Sequence, residues 1–443
     1  MQETLSHYFG YKSFRPGQEE IITKILNHQH TLGVLPTGGG KSICYQVPGL
    51  MQGGTTIVIS PLISLMKDQV DQLQAMGIQA AYLNSSLTHK QQKEIEEQIK
   101  RGAIQFLYVA PERFENTFFL NLLRKIEIPL IAFDEAHCIS KWGHDFRPSY
   151  QSVIQKVFTL PQNFTIVALT ATATAEVQQD IMSKLSIGQN DVVKTSTKRR
   201  NLIFKVNPTY QRQKFVVDYV ANHEGQAGII YCSTRKQVEE LHEALNSEKI
   251  KSTIYHAGLT NKERIEAQND FLYDRVEVVI ATNAFGMGID KSNVRYVIHY
   301  NMPGDLESYY QEAGRAGRDG LKSECILLFS ERDKGLHEYF ITVSQADDDY
   351  KDKMGEKLTK MIQYTKTKKC LEATIVHYFE PNENLEECNQ CSNCIQENKT
   401  YDMTREAKMI ISCIARMKQQ ENYSVIIQVL RGEVTDYIKH HHY

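Results

Sequence analysis

The chain has 443 residues, 51 Lys+Arg against 53 Asp+Glu, a formal net charge of −2, and 41% hydrophobic residues. At about 100–200 residues per domain this length predicts roughly two to four domains, and the composition excludes a fibrous or disordered chain. No apolar stretch nears the ~18 residues of a membrane span, the start MQETLSHYFGYKSFR has no apolar signal-peptide core, and the balanced charge excludes a uniformly basic coat on nucleic acid.

From about residue 20 to residue 330, short apolar runs alternate with helix-period segments. TLGVL (31–35), TTIVIS (55–60), IQFLYV (104–109), LIAF (130–133) and TIVAL (165–169) read as buried parallel strands. Each is followed by a polar turn and a helical pattern, such as 62–76, 88–101 or 174–185. This is the βαβ pattern of an open α/β sheet.

LPTGGGKS (35–42) stands between the first strand and its helix. Small residues in succession let backbone N–H groups face phosphate oxygens, and the following helix N-terminus adds its dipole. Thr37, Gly38, Gly39 and Gly40 would form the cradle, Lys41 would reach the β/γ-phosphates, and Ser42 would ligate Mg²⁺. The strict pattern asks for glycine where Leu35 stands, so the glycines are bunched late. The plain alternative is a flexible turn, which a Lys-Ser pair between strand and helix argues against. DEAH (134–137) follows LIAF directly. Asp134 is expected to hold Mg²⁺ and Glu135 to orient or deprotonate the attacking water. A lone acidic pair is usually a solvated loop, but this one ends a strand of the same sheet, where ligands of α/β folds bind. Together the two motifs predict an ATPase.

The basic stretch KTSTKRR (194–200) interrupts the alternation, which restarts with AGIIY (227–231), STIY (252–255), EVVIA (277–281), VRYVIH (294–299) and ECILLF (324–329). Two sheet domains, 1–197 and 198–335, are expected. QEAGRAGRDG (311–320) places Arg315 and Arg318 after a helix of the second sheet. A single arginine is usually surface charge. Two at this spacing fit a finger that stabilises the phosphoryl-transfer transition state, worth about 10³–10⁵ in rate, and needing closure of the two domains.

Past residue 335 the strands stop. A helical, lysine-rich segment leads to Cys370, Cys388, Cys391 and Cys394, four thiols with the spacing of a tetrahedral structural zinc site. The region 336–400 is expected to be a zinc-binding subdomain. Its own core would supply no more than ~3–5 kcal/mol, against ~10–16 kcal/mol from zinc. Cys44, Cys138, Cys232, Cys325 and Cys413 stand singly and read as buried thiols of a reducing compartment. Residues 401–443 carry an amphipathic pattern (EAKMIISCIARM) and end in KHHHY, a poor match to an affinity tag; they are expected to be a natural sequence cut inside a further domain.

Taken together these motifs resemble the RecQ family of superfamily-2 DNA helicases, from about residue 5 to at least residue 430. FRPGQEEII (14–22) is similar to the family's adenine-reading motif, which implies base contacts from Arg15 and Gln18, with Gln311 also at the nucleotide. SPLISLMKDQV (60–70), LTATAT (169–174), IIYCSTR (229–235), ATNAFGMGID (281–290) and SYYQEAGRAGRDG (308–320) resemble further helicase motifs. Leu35 is no departure from the helicase form of the phosphate loop, and Arg318 is implied to be the finger with Arg315 assisting.

ISKWGHDFRPSY (139–150) resembles the family's aromatic-rich loop, which couples single-strand binding to hydrolysis. The residues agree independently. Trp142 and Phe146 sit in a loop with His144 and Arg147; an aromatic platform is worth roughly 1–3 kcal/mol per base, and arginine binds phosphate. The alternative is that Trp142 plugs a core.

The resemblance implies two RecA-like domains, a zinc subdomain, and at 401–443 the start of a winged-helix domain. It implies ATP, Mg²⁺ and structural Zn²⁺ as cofactors, 3′→5′ movement, and a role in repair and recombination. The implied partners are single-stranded DNA, duplex with a 3′ tail, a single-strand-binding protein and repair factors. A cytoplasmic, nucleoid-associated monomer with no membrane partner is expected. The rivals are an RNA helicase of the same superfamily and an ATP-switched binding module. Charge is blocked along the chain. Residues 194–200 hold four Lys/Arg and no acid, 351–369 seven Lys against Asp352 and Glu356, and 380–398 five Glu with no Lys or Arg. The basic blocks are expected to meet phosphate.

Overall fold

The structure is a computed structural model and describes the chain apart from residues 85–86, 144, 286–290, 384–385, 396–402, 419–420 and 442–443. It divides into two compact units, Met1–Ile395 and Gln396–Tyr443.

The larger unit holds two parallel sheets. The first is built from β1 (Thr31–Val34), β2 (Thr56–Ile59), β3 (Ala80–Leu83), β4 (Phe106–Val109), β5 (Leu130–Phe133), β6 (Thr165–Thr170) and β7 (Val192–Lys194). They lie in the order β3-β4-β2-β5-β6-β1-β7. The register pairs Leu32 with Ala168 and Ala132 with Val167. Side chains alternate between faces. Ile57, Ile59, Ile131 and Phe133 enter one apolar core, while Val58, Leu130 and Ala132 enter the core on the opposite face. The second sheet is built from β8 (Leu202–Pro208), β9 (Ala227–Tyr231), β10 (Ser252–Tyr255), β11 (Val278–Ala281), β12 (Val294–His299) and β13 (Ser323–Phe329). Its order is β10-β11-β9-β12-β13-β8.

The helical patterns form where expected, at Ile63–Ala75, His89–Lys100 and Ala175–Leu185. Thr88 and Gln91 close a capping box on the second, and Thr174 caps the third. Strands β3, β7 and β8 lie outside the runs recognised in the sequence. All three are sheet edges. β3 is Ala-rich, β7 has only 3 residues, and β8 buries little beyond Leu202 and Phe204.

Helices Glu331–Val343, Asp348–Lys366 and Leu371–Phe379 follow the second sheet. They do not rest on a small core of their own. Leu358, Met361, Tyr364, Leu371 and Ile375 pack in one cluster with Tyr231, Val279, Val297 and Leu327 of the second sheet. Three of the seven lysines of the block 351–369 are in ion pairs among the described residues. Lys353 meets Glu176 at 2.8 Å, Lys357 meets Glu307 at 3.0 Å and Lys366 meets Glu331 at 2.7 Å.

The segment joining the sheets, 195–201, is laced on both sides. Thr195 N–H donates to Val34 O at 3.2 Å, Thr197 N–H to Glu380 Oε1 at 3.0 Å, and the Tyr310 hydroxyl to Thr197 O. Lys194 Nζ, just before it, donates to Phe379 O at 3.2 Å. Lys194 of the basic stretch thus faces a protein oxygen.

In the smaller unit, helices Thr404–Arg416, Tyr423–Leu430 and Asp436–His441 pack loosely, with Met417 and Ile438 its buried apolar residues. Cys413 is half-buried, not a core thiol, because no residue of its helix is fully covered; Cys44, Cys138, Cys232 and Cys325 are buried. Among the described residues no helix is long and apolar enough to cross a membrane.

Candidate active site

The phosphate loop leaves the carboxyl end of β1, where Leu35 N–H donates to Thr170 O at 3.0 Å. It turns on Gly38 (φ +80°) and Gly40 (φ +74°), in the left-handed region where a side chain is strained. At Gly40 a Cβ would stand 2.5 Å from Gln18 Nε2. Gln18 is buried and laces the loop from below. Its Nε2 donates to Gly39 O at 3.1 Å and Gly40 O at 2.9 Å, and its Oε1 accepts from Arg15 N–H at 2.8 Å. The Arg15 guanidinium donates to Gly38 O. Both residues therefore brace the loop, and the Gln18 amide is engaged with it rather than directed at a base.

DEAH leaves the carboxyl end of β5, with β6 lying between β5 and β1. The Asp134 carboxyl is buried, which raises its pKa to about 7; the neighbouring Glu135 charge adds to the rise and Lys41 opposes it. Glu135 occupies the left-handed region (φ 47°, ψ 50°), an uncommon conformation for a non-glycine residue. Its Oε2 is buried without a hydrogen bond among the described residues and lies 3.4 Å from His137 Nδ1. His137 in turn meets Thr170 Oγ1 at 3.1 Å, tying the acidic motif to the end of β6.

The second sheet supplies the opposite wall. Helix Leu306–Ala313 carries Gln311, which is buried, and the turn after it carries Arg315 and Arg318. Arg315 is 4% exposed and its charge lies beside the Tyr231 side chain. A Cβ built on Gly38 would lie 3.5 Å from Arg318 Cγ, so the Arg318 stem lies against the phosphate loop. One cleft of ≈ 360 Å³ is lined by Thr37, Gly38, Gly40, Lys41 and Ser42, by Asp134 and Glu135, and by Gln311, Arg315 and Arg318. Arg15 and Gln18 border it as well, whereas Gly39 is not among its lining residues. Four cationic side chains there face two carboxyls, the balance that a polyphosphate requires. Sequence reasoning missed Tyr11 and Gln69 in the lining. Tyr11 precedes FRPGQ and no motif marks it; Gln69 lies inside SPLISLMKDQV, a motif to which no site role was assigned, and reaches the cleft through the helix Ile63–Ala75.

The aromatic loop follows directly on DEAH. Gly143 is required by close approach, since a Cβ would stand 2.2 Å from His137 O. Trp142 is half-buried against the core of the first sheet, with Lys141 Nζ 5.4 Å and Lys353 Nζ 5.9 Å from its ring centroid. Its carbonyl accepts from Lys357 Nζ at 2.8 Å. It is thus partly a packing residue. Phe146 is half-buried. Arg147 Nε and Nη2 both donate to Asp145 Oδ2 at 3.1 Å, and Nη1 donates to Pro61 O at 3.1 Å, so this guanidinium is held within the loop. His144 lies outside the described residues.

The Sγ atoms of Cys370, Cys388, Cys391 and Cys394 all lie within 4.8 Å of one another. Cys391 and Cys394 are 3.4 Å apart and Cys388 and Cys394 3.9 Å. A tetrahedron of sulfurs at about 2.3 Å from zinc has edges of about 3.8 Å, so the set fits that ion. Backbone N–H groups of Leu371 and Cys388 donate to sulfur at 3.3 Å, as the groups that orient metal thiolates do.

Comparison with known proteins places these features in context. Residues 15–181 match the DEAD/DEAH box helicase family and 211–320 the helicase conserved C-terminal domain. Residues 331–395 match the RecQ zinc-binding domain and 397–443 the RQC domain. The chain is 48% identical over 432 residues to the ATP-dependent DNA helicase RecQ of Bacillus subtilis (strain 168), covering 97% of this chain and 73% of that one. It is 42% identical over 428 residues to the protein of the same name from Haemophilus influenzae, covering 97% and 69%. Its fold is similar to that of the Mycobacterium smegmatis helicase Lhr bound to ssDNA and AMP-PNP, with TM-score 0.61 and 17% identity over 82% of this chain and 57% of that one.

Proposed function

The chain belongs to the RecQ family of ATP-dependent DNA helicases, and from that premise we propose that it hydrolyses ATP between its two sheets to move 3′→5′ along single-stranded DNA, unwinding duplex in repair and recombination. One observation carries the reading: the phosphate loop, the acidic pair and the arginine pair come from three distant segments and line a single cleft.

In this reading the loop amides and Lys41 hold the β/γ-phosphates. Glu135, held in its strained conformation, orients the attacking water and takes its proton. Arg318, assisted by Arg315, meets the charge that builds on the equatorial oxygens in the transition state. Ser42 and Asp134 would hold Mg²⁺. A buried carboxyl with a pKa near 7 fits that role, because a cation restores the ionised form that burial disfavours. Bound there, the ion neutralises charge on the phosphate oxygens. The four cysteines would hold zinc in a purely structural site.

Trp142, with Phe146, Arg147 and His144, would form the single-strand contact, and a base stacking on Trp142 displaces the lysines over its ring. This loop begins two residues after DEAH ends, which supports coupling of strand binding to hydrolysis. Arg147 must leave Asp145 to reach a phosphate. The polarity rests on the family alone. Unwinding of 3′-tailed against 5′-tailed duplexes tests the proposal. Wild type should open the 3′-tailed substrate with ATP, and Glu135→Gln should bind ATP without turnover. A preference for 5′ tails removes the polarity, and unaltered turnover removes Glu135 from its role. Stronger stimulation of hydrolysis by RNA than by single-stranded DNA points instead to an RNA substrate.

A further inference from the structure

Arg199 belongs to the basic stretch between the sheets, and no phosphate-binding role is left for it, because its guanidinium is turned inward. Nη1 donates to Thr37 O at 2.7 Å and to Gly314 O at 3.4 Å. Nη2 donates to Ala316 O at 3.1 Å and Gly317 O at 2.9 Å, and Nε to Asn201 Oδ1 at 3.3 Å. The carbonyls belong to two different walls of the ATP cleft. Thr37 is in the phosphate loop, and Gly314, Ala316 and Gly317 form the turn that carries Arg315 and Arg318. The walls touch here, since a Cβ on Gly314 would lie 3.2 Å from Thr37 Cβ. Among the described residues no carboxylate lies within ion-pair distance of the Arg199 guanidinium; its partners are all carbonyl or amide oxygens. Burial accordingly lowers its pKa.

A single group that satisfies oxygens from both walls fixes the distance between them. The planar fork of arginine does this with five donors, and the compact ammonium of lysine cannot reproduce it. Asn201 completes the arrangement from the far side, donating to Gly317 O at 2.8 Å and Leu321 O at 3.0 Å.

We propose that Arg199 is a positioning residue for ATP hydrolysis, which seats the turn bearing Arg315 and Arg318 at a set height over the phosphate loop. It touches no reacting atom. It acts through the arginine pair, so the inference rests on the finger role proposed above. A misplacement of about 1 Å at the reacting centre costs on the order of 10²-fold in rate.

The test is steady-state hydrolysis by the full chain with saturating single-stranded DNA, alongside binding of a fluorescent non-hydrolysable ATP analogue. Arg199→Lys should lower kcat about 10- to 100-fold. Because Arg15, Gln18 and Lys41 are untouched, the KM for ATP and the analogue's Kd should stay within about threefold. Arg199→Gln, which keeps an amide donor and loses the charge, should give the same split. In an Arg318→Ala background, Arg199→Lys should cost much less than it does alone, since most of its effect passes through the displaced finger. A wild-type kcat in Arg199→Lys overturns the proposal. So does an additive loss in the double variant, or a fall in analogue affinity and melting temperature that matches the fall in kcat, which is the pattern of a merely structural staple. Wild-type turnover in Arg318→Ala alone is a separate outcome, and it removes the finger reading itself.

Discussion

Replacing Asp134 by asparagine should stabilise the nucleotide-free protein while abolishing its activity, and the size of the gain is set by the carboxyl's surroundings. Its pKa is about 7 against 3.8 for the free group, because burial and then the Glu135 charge disfavour ionisation. A folded pKa above the unfolded one means that between about pH 4 and pH 7 the folded chain holds a proton which the unfolded chain has released. Stability from this group is therefore present at low pH and falls as pH rises to about 7. About 3 pH units at 1.36 kcal/mol each sets a ceiling near 4 kcal/mol, and sharing of the shift with Glu135 brings the expectation to about 2–4 kcal/mol. At ~2–4 °C per kcal/mol for a domain of this size, Asp134→Asn should melt about 5–10 °C above wild type at pH 8. The difference should shrink steadily towards pH 5. Differential scanning calorimetry in magnesium- and nucleotide-free buffer measures it. Adding Mg·ADP should stabilise wild type and leave the variant unmoved. A variant no more stable at pH 8, or an advantage equal at both pH values, refutes the reasoning.

Chelation of zinc, or Cys391→Ser, should release zinc from a protein holding about one ion per chain and lower the melting temperature of the second lobe, because the cysteine-bearing helices share its core; an unchanged melting curve after complete zinc loss contradicts this. Gly40→Ala forces a Cβ onto Gln18 at φ +74° and should raise the KM for ATP about tenfold, through some 1–2 kcal/mol of strain; an unchanged KM removes the strain argument. Lys357→Met strands the buried Glu307 carboxylate and should cost about 3–5 kcal/mol in urea denaturation, most of it recovered by adding Glu307→Gln. If the second substitution recovers nothing, the pair is not the cause. Trp142→Ala should keep basal ATP turnover and lose stimulation by single-stranded DNA; undiminished stimulation defeats the coupling role.

The parts of the site legible in the sequence were those in which the chemistry sits in consecutive residues. LPTGGGKS and DEAH each carry their own backbone geometry, and the cysteine spacing is itself a coordination pattern. The strands that escaped notice are edges, where one neighbour suffices and the apolar run is short. The pairing of Lys353 and Lys357 was not legible, because formal charge along a helix says nothing of partners such as Glu176 or Glu307, which arrive from distant segments. Arg199 was invisible for a related reason. Four of its five acceptors are main-chain carbonyls, and a carbonyl leaves no residue signature. Arg147 shows the converse, a cation whose first partner, Asp145, lies two residues away and could have been noticed.

The laced segment between the sheets has a consequence for how binding energy is divided. Fixing the backbone of one residue costs about 1–2 kcal/mol of conformational entropy at room temperature. In a freely hanging tether that cost would fall due on every cycle, whenever nucleotide drew the lobes into register. Here residues 195–201 are already held by Val34, Glu380 and Tyr310. Their disorder is surrendered once, when the chain folds. In the proposed cycle, what ATP contributes on each later turn would then bend a hinge, with none of it consumed in ordering a loop.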